Sequence, residues 1–208
     1  MIPLIERLER FYGPLPQPPE DPFANYVWGI LSVHTTPSRR DAAFTALKRI
    51  PAMTPDSMAR APRAKLEAAV AFAGPYREER LAALMAGMDA FRRNRELSRQ
   101  IAAGPDEATA ALALLSHLTA IDGQWLRLFA GSHACLPDDP NLARVIGRLG
   151  TNRERVSSEI GEVLTALQRT ALYLAHHGRA TCLEGEPLCH ICPVKRECPY
   201  PSRATATA

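Results

Sequence analysis

The chain has 208 residues, 46% of them hydrophobic, which is enough to bury a core and excludes wholesale disorder. No apolar run approaches the length of a membrane span and the N-terminus has no secretory pattern, so a cytoplasmic protein with no membrane association is expected. The net charge of +3 names no partner, but among the basic residues only Lys48, Lys65 and Lys195 are lysine. Arginine's planar fork suits phosphate contacts, although a GC-rich genome gives the same bias.

In chain order, a short helix is predicted over Ile5–Tyr12, followed by a proline-rich loop through Pro19. Asp21-Pro22 is a helix start signal, and Val27, Ile30 and Leu31 supply the apolar stripe behind it. Leu66, Val70 and Phe72 mark a further helix, and Leu81, Leu84, Met88 and Phe91 another. Residues 94–106 read as helix ends and linkers. Ile160, Val163, Leu164, Leu167, Ala171 and Leu174 recur at offsets of three, four and seven, with Gly178 expected as the C′ residue that ends that helix. Ser202–Ala208 reads as a disordered tail. There is no β-branched alternation and no internal repeat, so the predicted class is all-α.

Four of the five cysteines fall in the pattern Cys182-x6-Cys189-x2-Cys192-x5-Cys198. In a reducing compartment such crowding points to metal ligation before disulfides. Four thiolates complete a [4Fe–4S] cube, one per iron. Structural zinc is the competing reading, but its ligand pairs usually lie two to four residues apart, and only Cys189–Cys192 meets that spacing. His190 could stand in for one sulfur. Cys135, remote in sequence, is expected to be a buried core thiol.

The segment His177-Gly178-Arg179-Ala180-Thr181-Cys182, followed by this cysteine spacing, resembles the endonuclease III family of helix-hairpin-helix DNA glycosylases. Leu31-Ser32-Val33-His34-Thr35-Thr36 resembles that family's segment after its first barrel helix. Leu118-Thr119-Ala120-Ile121-Asp122-Gly123 takes the place of its glycine hairpin. Asp139-Pro140-Asn141-Leu142-Ala143-Arg144-Val145 resembles the stretch holding its catalytic aspartate. The likeness covers nearly the whole chain, with its specific motifs concentrated in the last seventy residues.

The resemblance implies a six-helix domain containing the hairpin, residues 21–133, and a second helical iron–sulfur domain made of residues 1–20 and 134–208. It implies a [4Fe–4S] cluster on Cys182, Cys189, Cys192 and Cys198, double-stranded DNA as partner, and a monomeric, nucleoid-associated bacterial repair protein that flips a damaged or mismatched base and cuts its glycosidic bond. Asp139 is then the catalytic carboxylate, a role compatible with capping a helix that starts at Pro140, with Asp138 as its alternate. His34 occupies the position of a gap-filling glutamine, and Tyr76 and Arg77 that of a DNA-wedging loop. Ala120, Asp122 and Gly123 stand at the hairpin, while Arg144, Arg148 and Arg179 are expected on phosphates.

Two departures matter. The family's Schiff-base lysine is replaced by Gln124, and no lysine lies between Lys65 and Lys195, so an imine-forming lyase step is not expected. Ala120 and Asp122 replace glycines that bring amide N–H groups to a phosphate. The expected function is a monofunctional DNA N-glycosylase, with a silent damaged-DNA-binding protein as the alternative.

Overall fold

The computed structural model describes residues 1–50, 52–131 and 133–200, so the expected tail at Ser202–Ala208 lies outside the described residues. Within them the chain is all-α, with twelve helices and no strand. They are α1 (Ile2–Tyr12), α2 (Pro22–Ser32), α3 (Pro37–Lys48), α4 (Pro55–Arg60), α5 (Arg63–Ala71), α6 (Arg77–Arg93), α7 (Leu97–Ala102), α8 (Pro105–Leu112), α9 (Ala120–Ala130), α10 (Pro140–Arg148), α11 (Arg153–Ile160) and α12 (Leu164–Ala180). None is long and apolar enough to cross a membrane.

Prolines set many of the helix starts. Helices α1, α2, α3, α4, α8 and α10 carry Pro in their first turn, where the missing N–H costs nothing. Asp21, Thr36, Thr54, Asp139 and Asn152 then accept from first-turn amides as N-caps. The helix expected behind Asp21-Pro22 forms as α2.

The helices gather into two compact units. Pro18–His133 holds α2 to α9; Met1–Gln17 and the chain from Ala134 hold α1 and α10 to α12. The core of the larger unit is built on α2. Tyr26 is 1% exposed and donates to the Ala83 carbonyl at 2.6 Å, and its ring lies where a Cβ at Gly87 would have to sit, 2.0 Å away. Phe23 and Phe91 meet edge to face beside it, at 5.3 Å.

In the smaller unit α10 packs on α12. Gly178 lies inside α12, buried, where a Cβ would come within 2.5 Å of the Asn141 carbonyl oxygen. Gly178 is therefore a close-approach glycine and not the C′ residue the sequence suggested; α12 runs two residues further, to Ala180. The stripe from Ile160 to Leu174 is likewise two helices. Gly161, at φ 71°, ends α11, and α12 starts at Leu164.

Other expectations shift for physical reasons. Phe72, placed on an apolar stripe, follows the last turn of α5 and is 58% exposed. Cys135 is exposed and not a core thiol, because it sits on the irregular segment before α10. The linker stretch at 94–106 contains α7, whose Leu97 and Ile101 are buried in the larger unit's core.

Candidate functional site

The C-terminal cysteines are brought together by a chain of short turns. The Cys182 amide donates to the His177 carbonyl at 2.8 Å, continuing the end of α12, and the Cys192, Lys195 and Cys198 amides each close a turn on the residue three positions back. All four cysteines are free and line one pocket, whose empty volume of about 390 Å³ includes its mouth to solvent. His190 is exposed and is not part of that lining.

Among the described residues, no group of three or more His, Cys, Asp or Glu side chains is gathered so as to hold a single metal ion. A tetrathiolate zinc site draws its sulfurs onto one ion at about 2.3 Å each. Four thiols lining one pocket are a donor set that a tetrathiolate zinc ion and an iron–sulfur cluster both take. Burial pushes the Cys192 and Cys198 thiols up, and the neighbouring cysteines add to that. A cationic centre would reverse this, because it stabilises thiolate.

The pocket is supported from α1, α10 and α12. Arg148 donates to Cys182 Sγ at 3.3 Å and to the carbonyls of Leu183 and Glu184 at 2.6 and 2.8 Å, with its guanidinium over the Tyr200 ring. Arg144 reaches the carbonyls of Cys182 and Gly178 at 2.9 and 2.7 Å. Both arginines, expected on phosphates, are half-buried and direct these donors inward, holding the cysteine loop to α10.

His177 is 1% exposed, and burial first, then the charge of His176, holds its pKa down to about 4. It is therefore neutral at pH 7, and the hydrogen bonds suggest its tautomer. Tyr12 O–H donating to Nδ1 at 2.6 Å leaves Nε2–H to donate to Cys192 Sγ at 3.6 Å. The Thr181 hydroxyl, 2.6 Å from Tyr12 Oη, completes the chain. Sequence reasoning placed His177 in a helix end but assigned Tyr12, His177 and Thr181 no role. Only the i, i+4 step from His177 to Thr181 hinted at a shared face.

Asp139 begins α10 in the same unit and is 6% exposed. Its Oδ1 accepts from the Asn141 and Leu142 amides at 2.8 and 3.2 Å, while Oδ2 lies 3.5 Å from Arg179 Nη1. One oxygen is the cap and the other faces a cation. Asp138 is exposed and pairs with Arg153.

In the larger unit the structure brings together two loops that are far apart in sequence. His34 and Tyr76 are the only described non-glycine residues at positive φ, 47° and 64°, and their rings lie 5.4 Å apart. Both are exposed. Beneath them Arg80 is 4% exposed and donates to the carbonyls of Pro75 and Val33, one in each loop. Thr35 Oγ1 adds a bond to the Ala73 carbonyl at 2.6 Å. Arg77 opens α6 beside Tyr76 and is exposed. Arg80 was not singled out from the sequence, since an arginine one turn into a helix ordinarily reads as solvated.

The hairpin between α8 and α9 has no left-handed residue: Ala120, Asp122 and Gly123 all lie within α9 at ordinary helical φ. Gly123 is buried, with Leu112 Cδ1 3.2 Å from the place of its missing Cβ, so it is a packing glycine and does not rescue the turn. Asp122 closes a capping box, accepting from the Thr119 amide at 3.0 Å and the Thr119 hydroxyl at 2.6 Å. The start of α9 thus carries its own carboxylate on the amide that opens it. Gln124 lies on α9 one turn beyond Ala120.

No protein-family model matches the sequence. No curated protein matches it significantly. Solved structures do. A non-covalent endonuclease III–DNA complex aligns over 99% of this chain and 96% of that one, at TM-score 0.68 and 17% identity. A trapped endonuclease III–DNA covalent intermediate, an estranged-adenine complex, aligns over 98% and 96%, at 0.67 and 15%. A thermostable thymine-DNA glycosylase aligns over 97% and 96%, at 0.64 and 17%. The fold is that of endonuclease III. At such identities the likeness fixes architecture and leaves activity to the site.

Proposed function

We propose that this chain is a base-excision repair protein that engages damaged or mismatched duplex DNA as a monomer and hydrolyses a base–sugar bond without lysine-dependent strand cleavage. The observation that carries the reading is the His34–Tyr76 pair. Two exposed aromatic side chains in left-handed backbone cost conformational energy that core packing does not recover, and a buried arginine is spent to hold them. Such a pair suits insertion into a base stack where a nucleotide has been flipped out.

Base loss develops positive charge on the sugar, and Asp139 supplies the carboxylate that stabilises it and orients a water. The four cysteines fit a [4Fe–4S] cluster, which when bound supplies a cationic core that neutralises and orders the thiolates. Arg148 and His177 donate to two of those sulfurs, and Arg144 pins the loop. The domains we propose are residues 21–133 and residues 1–20 with 134–208.

A second reading, binding without excision, is favoured by the hairpin's own carboxylate and by the cation facing Asp139 Oδ2. Product analysis on a panel of lesion and mismatch duplexes separates the two. A released base over an intact abasic strand supports the first; retained duplex with lesion-selective binding supports the second. Iron and acid-labile sulfide analysis should find about four of each per chain. Stoichiometric zinc in a colourless, folded preparation refutes the cluster.

A further inference from the structure

We propose that the groove between α3, α4 and α5 is a docking site for an acidic amphipathic helix of a partner protein. The groove is open, with a cavity volume of about 590 Å³. Ala46, Ala61, Ala68 and Ala69 form its apolar lining together with the buried Ile50, and Phe72 stands 58% exposed in its wall. Arg49, Arg60 and Lys65 are exposed, and no Asp or Glu is in the lining. The nearby carboxylates are already committed, Glu67 to Arg63 and Asp56 to Arg92 and Arg95. None of the described ion pairs uses Arg49, Arg60 or Lys65.

The cationic rim of this surface is apart from the His34–Tyr76 pair, although Phe72 in its wall lies at the pair's end of α5. His34 and Tyr76 lie just before α3 and just after α5, so the start of α3 and the end of α5 share one end of the unit. Arg49, at the end of α3, and Arg60 and Lys65, flanking the start of α5, are then at the other end, about 18 Å away by the rise of a twelve-residue helix.

The lining decides the occupant. A phosphate backbone would use the three cations and leave the Ala–Ile floor wet, and base stacking would find only Phe72. An amphipathic helix uses both. Its apolar face lies on the floor, where alanines allow close approach of helix axes, and its carboxylates meet the rim. The charge match then sets partner choice and association rate.

The test titrates the full-length chain against three fluorescent probes: a synthetic helix with leucine on one face and glutamate on its flanks, the same helix with lysine for glutamate, and a single-stranded oligonucleotide. The acidic helix should bind, at least tenfold tighter than the lysine version, and lose affinity with salt. The double variant Arg60→Glu/Lys65→Glu should weaken it tenfold or more. Ala68→Trp, which fills the floor without changing charge, should weaken it similarly while the thermal unfolding midpoint stays within a few degrees. No binding of the acidic helix, equal binding of both helices, or indifference to all three substitutions overturns the proposal. So does an oligonucleotide that binds through Arg60 and Lys65 in place of the helix.

Discussion

At the scale of single residues, Asp139 caps α10 and, in the reaction proposed above, is also the catalytic carboxylate, two jobs that substitution can separate. Asp139→Asn retains an oxygen for the Asn141 and Leu142 amides and removes the charge that faces Arg179. Stability should change by no more than about 1 kcal/mol, since the cap survives, whereas any base excision should fall by a hundredfold or more. Single-turnover kinetics beside thermal melts checks both; undiminished excision would leave Asp139 as a cap alone. Arg80 gives the second residue-level expectation. Arg80→Met fills similar volume but leaves the Val33 and Pro75 carbonyls without their buried donor. The loss should be about 1–3 kcal/mol, the two loops should become open to limited proteolysis, and duplex DNA affinity should fall with them. A variant that stays protease-resistant and binds DNA normally would show that the clamp is not needed.

At the scale of elements, the glycines report packing that composition could not. Gly178→Ala places a Cβ against the Asn141 backbone, which cannot yield as a side chain can. We expect a cost of about 1–3 kcal/mol, seen as a lower unfolding midpoint and faster loss of the cysteine-bound group. The sequence signal at Gly178 was ambiguous because a helix-ending glycine and a close-approach glycine look alike until the partner helix is known. By contrast the start of α2 was legible, since Asp21-Pro22 acts locally, and the crowding of four cysteines in sequence matches their sharing one pocket. The clamp under His34 and Tyr76 was not, because it joins Val33 to Arg80 across forty-seven residues. The α9 capping box makes an opposed pair of expectations. Asp122→Ala removes a cap, costing about 0.5–2 kcal/mol, but frees the Thr119 amide and deletes a negative charge. Duplex DNA should therefore bind more tightly to a less stable protein. Unchanged binding would place the hairpin away from phosphate.

For the whole molecule, the central chemical question is whether it cuts DNA by way of an imine. That route needs a neutral amine beside the sugar, and reduction of the imine by borohydride locks protein to DNA. In the proposed correspondence the lysine's position is held by Gln124, an amide whose nitrogen is not nucleophilic, and no lysine lies anywhere from Leu66 to Val194. That stretch includes all of α6 to α12, so no local shift of α9 could bring in an amine of its own. Incubation with an abasic duplex and borohydride should trap no covalent complex above the level of a lysine-free control protein. Any excision should leave the abasic strand intact until alkali is added. Gln124→Lys then becomes the positive control: if α9 presents that position to the sugar, the variant should trap and nick, and its trapping should rise with pH as the ammonium loses its proton. Efficient trapping by the unaltered chain would mean that the N-terminal amine or Lys48, Lys65 or Lys195 reaches the sugar, and would overturn the monofunctional reading.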